Sequence, residues 1–282
     1  MKILITGAKG FIGNKLSTVL AKNHTVIKLY NEKNQSIDNE QSINLDLMNK
    51  DNVIEYFKKF NEQNNIDIII HLASKLVSSK DTENIEIFYK NINIAENIVH
   101  ISKILNPRQL INFSSISVYP NLSGIYKENS KINPLPNNDC IYGLSKYSSE
   151  ILISHLLRKS KINICHFRVA NVIGKSMRDD RIIPVMKKEL MKSNSINLFG
   201  DGRRVSNFID IDDLINIVHK SISKNISGIY NVGDRNISYY DLAKEIIDKH
   251  GNNDSLINTI SNGNREAFNL DCSKINNLLE LK

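Results

Sequence analysis

Short apolar runs alternate with amphipathic stretches along the chain, and this alternation predicts its secondary structure. The run at 66–74 (IDIIIHLAS) is nearly continuous in apolar residues, which is typical of a strand covered on both faces. The other predicted strands are Lys2–Thr6, 24–30 (HTVIKLY), 109–115 (QLINFSS) and 162–169 (INICHFRV). Between them, apolar positions recur with helical spacing, which predicts helices up to about Lys22 and over 53–60, 83–105 and 140–157.

Strands and helices in this order predict an α/β fold with a doubly wound parallel sheet. Past residue 174 the rhythm is less regular, with helices expected near 181–192, 211–222 and 238–249 and strands near 196–199 and 228–232. We therefore expect a first domain over 1–174 and a smaller carboxyl-terminal lobe over 175–282. In folds of this kind the chain often crosses back from the second lobe to the first domain after such a boundary.

A glycine-rich turn, TGAKGFIG, joins the first strand to the first helix. Gly7, Gly10 and Gly13 let the backbone turn sharply and let a pyrophosphate approach the free N–H groups where the helix begins, at Phe11 and Ile12. In a strand–turn–helix unit this pattern indicates a dinucleotide site. The first domain is therefore predicted to be of the Rossmann type.

The end of the second strand bears on which dinucleotide binds. An acid there would bind the adenosine ribose hydroxyls of NAD(H), but Tyr30 and Asn31 are followed by no aspartate. Lys9 in the glycine turn and Lys33 near the strand end would suit a 2′-phosphate. The sequence therefore favours NADP(H) over NAD(H).

The bulk composition narrows the class of protein further. The net charge of +7 is spread over predicted helix faces, so a solvated surface is expected and not a nucleic-acid site. No apolar run approaches the ~20 residues of a membrane span, and no signal peptide is evident, so a cytoplasmic protein is expected. The cysteines form no CxxC and no metal-ligand pattern with the histidines, which predicts no metal and buried or half-buried thiols at Cys140, Cys165 and Cys272.

An ordered set of motifs resembles a known family over nearly the whole chain. These are TGAKGFIG, Asp46-Leu47, HLAS (71–74), Asn91, SSISVY (114–119), YGLSK (142–146), RVANVIG (168–174) and YNVGDRNISYYDLA (230–243). The chain resembles the extended short-chain dehydrogenases/reductases of the sugar-nucleotide epimerase/dehydratase type. The resemblance implies that the glycine turn holds the pyrophosphate, that Asp46 and Leu47 flank the adenine, and that further residues line the cofactor: Leu72, Ala73, Ser74 and Asn91.

Two tyrosines are followed by a lysine four positions later, Tyr142 with Lys146 and Tyr240 with Lys244. A lysine one helical turn away favours the phenolate, so such a pair can move a proton to or from a sugar hydroxyl. The first pair has the serine that this chemistry needs, because Ser115 ends the fourth strand where the family places its catalytic hydroxyl. The resemblance also implies that Lys146 binds the nicotinamide ribose. The second pair follows Ser238, a predicted helix N-cap, and is interpreted as structural.

The resemblance implies a nucleoside-diphosphate sugar as substrate but leaves the reaction open. Family dehydratases carry Thr-Asp-Glu where this chain has Ser115-Ile116-Ser117, which argues against dehydration. A Cys and a His of the epimerase-reductases are also missing, so a 4-keto sugar reductase and a 4-epimerase remain, and the expected NADP(H) favours the reductase. Ser206 and Asn207 replace the family's phosphate-binding Arg-Asp, so the candidates for substrate contacts are Asn171, Arg178, Arg181, Arg203, Arg204 and Asn207, with Arg265 as a later arginine.

Two further expectations concern partners. The resemblance implies a homodimer in which the helices near 85–105 and 140–157 pack into a four-helix bundle, which the apolar content of both permits. A non-catalytic dinucleotide-binding or RNA-binding module is the alternative of another class. This alternative predicts that at least one of the catalytic Ser, Tyr and Lys residues is missing, whereas Ser115, Tyr142 and Lys146 are all present.

Overall fold

The computed structural model describes residues 1–32, 41–77 and 82–281. The helices are α1 (Phe11–Leu20), α2 (Lys50–Asn61), α3 (Glu86–Leu105), α4 (Cys140–Leu157), α5 (Ile182–Ser193), α6 (Ile211–Lys224), α7 (Tyr239–His250) and α8 (Ser273–Leu279). The strands are β1 (Lys2–Thr6), β2 (Thr25–Tyr30), β3 (Ser42–Asn44), β4 (Ile68–His71), β5 (Gln109–Ser115), β6 (Gly124–Tyr126), β7 (Asn163–Val169), β8 (Asn171–Ile173), β9 (Ser195–Phe199), β10 (Val205–Asp210), β11 (Gly228–Val232), β12 (Arg235–Ser238), β13 (Leu256–Ile260) and β14 (Phe268–Leu270).

A parallel sheet forms the centre of the described structure and has the strand order β11-β7-β5-β4-β1-β2-β3. The order reverses between β1 and β4, and open α/β sheets bind ligands at this point, outside the carboxyl ends of the strands. The predicted α/β, Rossmann-type fold is confirmed.

The sheet is covered on both faces, which explains the apolar runs of its strands. Ile3 and Ile5 of β1 contribute to a core with α1, α6 and α8, whereas Leu4 faces a second core with α2, α3 and α4. Successive strand residues point to opposite faces, so both must be apolar. A third core lies between α5, α7, β9 and β10, and we call these elements, with the strands β8, β12 and β13 that pair with them, the smaller lobe.

The chain crosses back after its first excursion into the smaller lobe. α6 packs beside α1, and β11 then pairs in parallel with β7 at the edge of the main sheet. β6, which precedes α4, pairs with β14 near the end of the chain. The remaining short strands form β12-β10-β8 and β13-β9. Segments from both sides of residue 174 therefore build each part of the molecule.

Candidate active site

A cleft of about 550 Å³ opens at the carboxyl ends of β1, β4, β5 and β7, facing the smaller lobe. Its walls combine the glycine turn, the segment after β4, the end of β5, the start of α4 and the arginine-rich loop before α5. The predicted residues that line it are Gly7, Gly10, Phe11, Ile12, Gly13, Leu72, Ala73, Ser74, Ser115, Tyr142, Lys146, Asn171, Arg178, Arg181 and Arg204.

The glycine turn has the geometry that a bound pyrophosphate needs. Gly7 has a φ of 69°, and a Cβ there would lie 2.8 Å from the backbone nitrogen of Ala73. A Cβ on Gly13 would lie 2.2 Å from the carbonyl oxygen of Gly7. Gly10 is the N-cap of α1 and offers no side chain to its free N–H groups, so an anion can approach them. These residues fit a dinucleotide.

Lys9 is paired with a carboxylate that the sequence interpretation overlooked. Its Nζ lies 2.5 Å from Oε2 of Glu32, two residues beyond the end of β2, and 3.9 Å from the centre of the Tyr30 ring. The backbone N–H of Glu32 donates to Asn44 on β3, which holds the acid at the strand end. An acid is therefore present where none was predicted. Lys33 lies outside the described residues.

Besides Lys9, three predicted cofactor residues lie outside the lining of the cleft. Asp46 is exposed, and Leu47 is buried in the core behind β3, where its carbonyl oxygen accepts from Asn97. Asn91 is buried on α3: its Oδ1 accepts from the Lys75 backbone at 2.7 Å, and its Nδ2 donates to Ser145 at 2.9 Å. Asn91 thus ties the segment after β4 to α4.

The helix that carries Tyr142 and Lys146 lies against the end of β5 because Gly143 has no side chain. A Cβ at this position would lie 2.1 Å from the carbonyl oxygen of Ser117. Lys146 Nζ is buried, donates to the carbonyl oxygen of Phe113 at 2.7 Å and lies 5.7 Å from the centre of the Tyr142 ring. Ser115 donates to the Ser117 hydroxyl at 3.1 Å and accepts from its backbone N–H.

Burial sets the electrostatics of this group. It raises the pKa of Tyr142 to about 12, an effect partly offset by a hydrogen bond with Ser74 and by Arg181. Burial also lowers the pKa of Lys146 to about 8, while Glu150 acts in the opposite direction. At neutral pH Tyr142 is therefore a phenol that can donate a proton, and its ionisation requires positive charge close by. Ser74 was predicted only as a cofactor contact.

The second tyrosine–lysine pair lies outside the cleft lining. Ser238 caps α7 as predicted, since its hydroxyl accepts from the backbone N–H of Asp241 at 3.0 Å. Tyr240 is exposed on this helix. Its neighbour Tyr239, which was not singled out, lines the cleft instead.

Arg204 is the arginine of its loop that faces the cleft. It precedes β10, and alternate residues of this segment (Arg204, Ser206 and Phe208) line the cavity. The Arg204 guanidinium lies 5.2 Å from the centre of the Tyr239 ring, and its Nε, within the described structure, is buried without a hydrogen-bond partner. Arg203 is exposed away from the cleft. The loop GDGRRVSN thus presents one of its two arginines to a ligand.

The alternation of β10 turns Asn207 away from the cleft. Asn207 is fully buried and donates to Asn236 on β12 at 2.9 Å. Arg265 pairs with Asp201 at 2.7 Å on the surface of the smaller lobe. These two residues, like Arg203, are not brought to the site for which the sequence made them candidates.

Further cations and acids line the mouth of the cleft. Arg178 forms an ion pair with Asp180, and the Nε of Arg181 lies 4.0 Å from the same carboxylate. Asp139, three residues before Tyr142, also lines the cavity, and burial raises its pKa against the effect of the arginines. The sequence interpretation missed Asp139, although its position just before α4, the helix of the predicted Tyr142 and Lys146, was a usable signal. Phe268 also lines the cleft, and no local sequence pattern predicts this position.

The thiols are free and at least half-buried, as predicted. Among the residues that the structure describes, no group of His, Cys, Asp or Glu could hold a metal ion. Within those same residues, no helix is long and apolar enough to cross a membrane.

Comparison with known proteins decides the family. The model of the NAD dependent epimerase/dehydratase family matches residues 3–233. The chain belongs to this family. A dTDP-D-glucose 4,6-dehydratase of Dictyostelium discoideum is 30% identical over 268 residues, covering 87% of this chain and 61% of that protein. The chain thus spans less than two thirds of this relative's length.

Solved structures agree with the family assignment. The UDP-glucuronic acid 4-epimerase of Bacillus cereus, in complex with UDP-glucuronic acid and NAD, has a TM-score of 0.82 and 26% identity and covers all of this chain and 94% of its own. A dTDP-glucose 4,6-dehydratase of Bacillus anthracis in complex with NAD has a TM-score of 0.79 and 18% identity, covering 99% and 90%, and shows the fold alone. The resemblance stated from the motifs is therefore confirmed.

Proposed function

We propose that this family member is an NAD-dependent sugar-nucleotide 4-epimerase with Tyr142 as its acid and base. The observation that carries the proposal is the cleft in which Tyr142, Lys146, Ser115 and the glycine turn meet. The occurrence of a 4-epimerase and of 4,6-dehydratases among its relatives supports chemistry at C4 of a sugar.

Each side chain of the site would have a distinct role in this epimerisation. A bound nicotinamide supplies a site that accepts and returns a hydride. Tyr142 takes the proton of the 4-hydroxyl and gives it back, and the ammonium group of Lys146 lowers the cost of the phenolate. Ser115 and Ser117 offer hydroxyls to the same sugar oxygen. Ile116 stands where dehydratases of the family carry an acid, which argues against loss of water.

We propose that Arg204 binds a phosphate of the substrate. Its guanidinium lies over the Tyr239 ring at the side of the cleft formed by the smaller lobe. Its Nε has no hydrogen-bond partner within the described structure and can therefore donate to a ligand. Guanidinium groups bind phosphate through two parallel N–H bonds. Asn171, Arg178 and Arg181 line the same side and are further candidates, so the smaller lobe is the proposed substrate-binding unit.

The paired Glu32 changes the choice of cofactor and therefore of reaction. An acid at the end of β2 suits ribose hydroxyls and repels a 2′-phosphate, and it occupies Lys9. We therefore propose NAD, and the argument for a reductase that consumes NADPH loses its basis. NADP(H) preference remains the alternative. The dissociation constants of the two cofactors for the wild type and for Glu32→Ala decide it, because a clear NADP preference in the wild type would overturn our choice.

A panel of 4-hydroxy and 4-keto sugar nucleotides tests the reaction. An epimerase converts a 4-hydroxy sugar to its C4 epimer without stoichiometric external cofactor, and the nicotinamide absorbance at steady state stays constant. A 4-keto reductase instead consumes NADPH in step with product. Consumption of NADPH with a 4-keto sugar, and no epimer from any 4-hydroxy sugar, would contradict the proposal.

We also propose that the chain forms a homodimer through α3 and α4. These helices pack on each other on one face of the sheet and leave apolar residues exposed, among them Tyr89, Leu144 and Ile151. Tyr89→Glu should convert the dimer to monomer in sedimentation experiments. A wild-type chain that sediments as a monomer would refute this.

A further inference from the structure

A fully buried ion pair lies one helical turn beyond the catalytic lysine. Glu150 on α4 accepts from Arg168 on β7 through both carboxylate oxygens, Oε2 from Nη2 at 2.8 Å and Oε1 from Nε at 3.1 Å. Oε1 also accepts from the hydroxyl of Ser114 at the end of β5. Each side chain of the ion pair is only 3% exposed. The fork fixes the carboxylate in one position.

This pair is the centre of a hydrogen-bond network that links α4 and β7 to Tyr119, β11 and the segment after β14. Nη1 of Arg168 donates to the hydroxyl of Tyr119 at 2.9 Å, and Tyr119 donates to Oδ1 of Asn231 on β11 at 2.7 Å. Asn231 in turn donates to the carbonyl oxygen of Asp271 at 3.0 Å, near β14. The catalytic helix is thereby tied to strands that meet the smaller lobe.

Burial of an ion pair does not by itself explain its presence. Desolvation of two charges generally offsets their attraction, so an apolar pair of equal volume would serve the fold as well. Glu150 stands four residues after Lys146, and residues at this spacing lie on one face of a helix. The Glu150 carboxylate therefore has Lys146 as a neighbour in addition to Arg168, and an apolar residue at position 150 could not stabilise the charge of Lys146.

We propose that Glu150 is a positioning residue of the active site: its carboxylate, held by Arg168 and Ser114, keeps the Lys146 ammonium charged and directed at the end of β5. This deepens the proposed function, since it names what maintains Lys146 in its working state. Glu150 touches neither the cleft nor a reacting atom and acts through Lys146 alone.

The surroundings of Lys146 make this charge necessary. On α4, Lys146 has Tyr142 and Glu150 as neighbours at the i, i+4 spacing, and β5 contributes the carbonyl oxygen of Phe113. On β4, the buried His71 is a further titratable group, and the charge of Lys146 acts on it. Burial, and then the charge of Lys146, lowers the pKa of His71 to about 3, so this ring stays neutral and does not repel the ammonium. His166 and Arg168 of β7 face Glu150. Glu150 is therefore the group that favours the ammonium form of Lys146 against desolvation.

Nuclear magnetic resonance of ¹³C-lysine-labelled full-length protein tests the proposal without any turnover. The Lys146 ε-carbon, assigned by its loss in Lys146→Arg, is titrated in the wild type and in Glu150→Gln. We expect its midpoint to fall by about one pH unit in the variant, because one opposite charge nearby is removed. Glu96→Gln, the same change at the exposed Lys50 pair, is the matched control and should leave the midpoint unchanged.

A second variant separates charge from folding. Glu150→Gln leaves Arg168 buried and unpaired, whereas Glu150→Gln/Arg168→Met removes both charges and should fold more readily. The Lys146 midpoint should be lowered in this double variant too. An unchanged midpoint in the folded variants would overturn the proposal, and so would failure of both variants to fold, which would assign the pair to the fold alone. A chain inactive on every sugar nucleotide would refute the proposed function and leave this titration intact.

Discussion

Gly143 determines how closely α4 approaches Ser117, two residues after the proposed catalytic Ser115, so Gly143→Ala tests the geometry of the site. The new Cβ would lie 2.1 Å from the Ser117 carbonyl oxygen, whereas real Cβ contacts stay above 3.0 Å. The helix or the turn must therefore move by about 0.9 Å, the difference between these distances. Tyr142 is the adjacent residue and moves with it.

The magnitudes favour an effect on catalysis over an effect on folding. Alanine stabilises a helix interior by about 1 kcal/mol relative to glycine, and the overpacking costs about 1–3 kcal/mol. The free energy of unfolding should therefore fall by no more than about 2 kcal/mol. A displacement of about 1 Å between reacting groups costs on the order of 10²-fold in rate. We expect kcat to fall by about this factor while NAD affinity is retained.

The assay combines three measurements on the same variant. Turnover of the sugar nucleotide used by the wild type gives kcat, calorimetry gives the dissociation constant of NAD, and urea unfolding gives stability. Met191→Ala, at an exposed position of α5 outside the proposed dimer helices, is the control and should keep the wild-type kcat. Wild-type kcat in Gly143→Ala would refute the reasoning, because the close contact would then have no bearing on the position of Tyr142.

The remaining predictions address single side chains. Tyr142→Phe should lower kcat by on the order of 10²-fold or more with NAD binding retained, and normal turnover would exclude it as the acid and base. Arg204→Gln should raise the KM for the sugar nucleotide by about tenfold or more, since a charged hydrogen bond contributes about 1.5–3 kcal/mol, whereas Arg203→Gln should not; equal effects would contradict the assignment. Burial lowers the pKa of His166 to about 4, so between pH 6.5 and 4 only the unfolded chain takes up its proton, and stability falls as the pH falls. In urea unfolding His166→Gln should reduce this loss by about 1.4 kcal/mol per pH unit, and His155→Gln should not; identical slopes for wild type and His166→Gln would disprove it.

The sequence by itself determined the order of strands and helices, the glycine turn and the tyrosine–lysine pair that lines the cleft. Strands Lys2–Thr6 and Gln109–Ser115 and helix Cys140–Leu157 lie where the pattern predicted them. These features are local, because strand and helix periods, a backbone turn and an i, i+4 pair each depend on residues close in sequence. The family motifs extended this information to the fold.

Only the tertiary structure decided which candidates meet in the site. Arg204 faces the cleft and Asn207 does not because β10 alternates between its faces, and its pairing with β8 and β12 sets which face is inside. Lys9 meets Glu32 across the glycine turn, and β6 finds β14 over a separation of more than a hundred residues. Such contacts depend on how whole elements pack, and no periodicity within a short stretch of sequence encodes that packing.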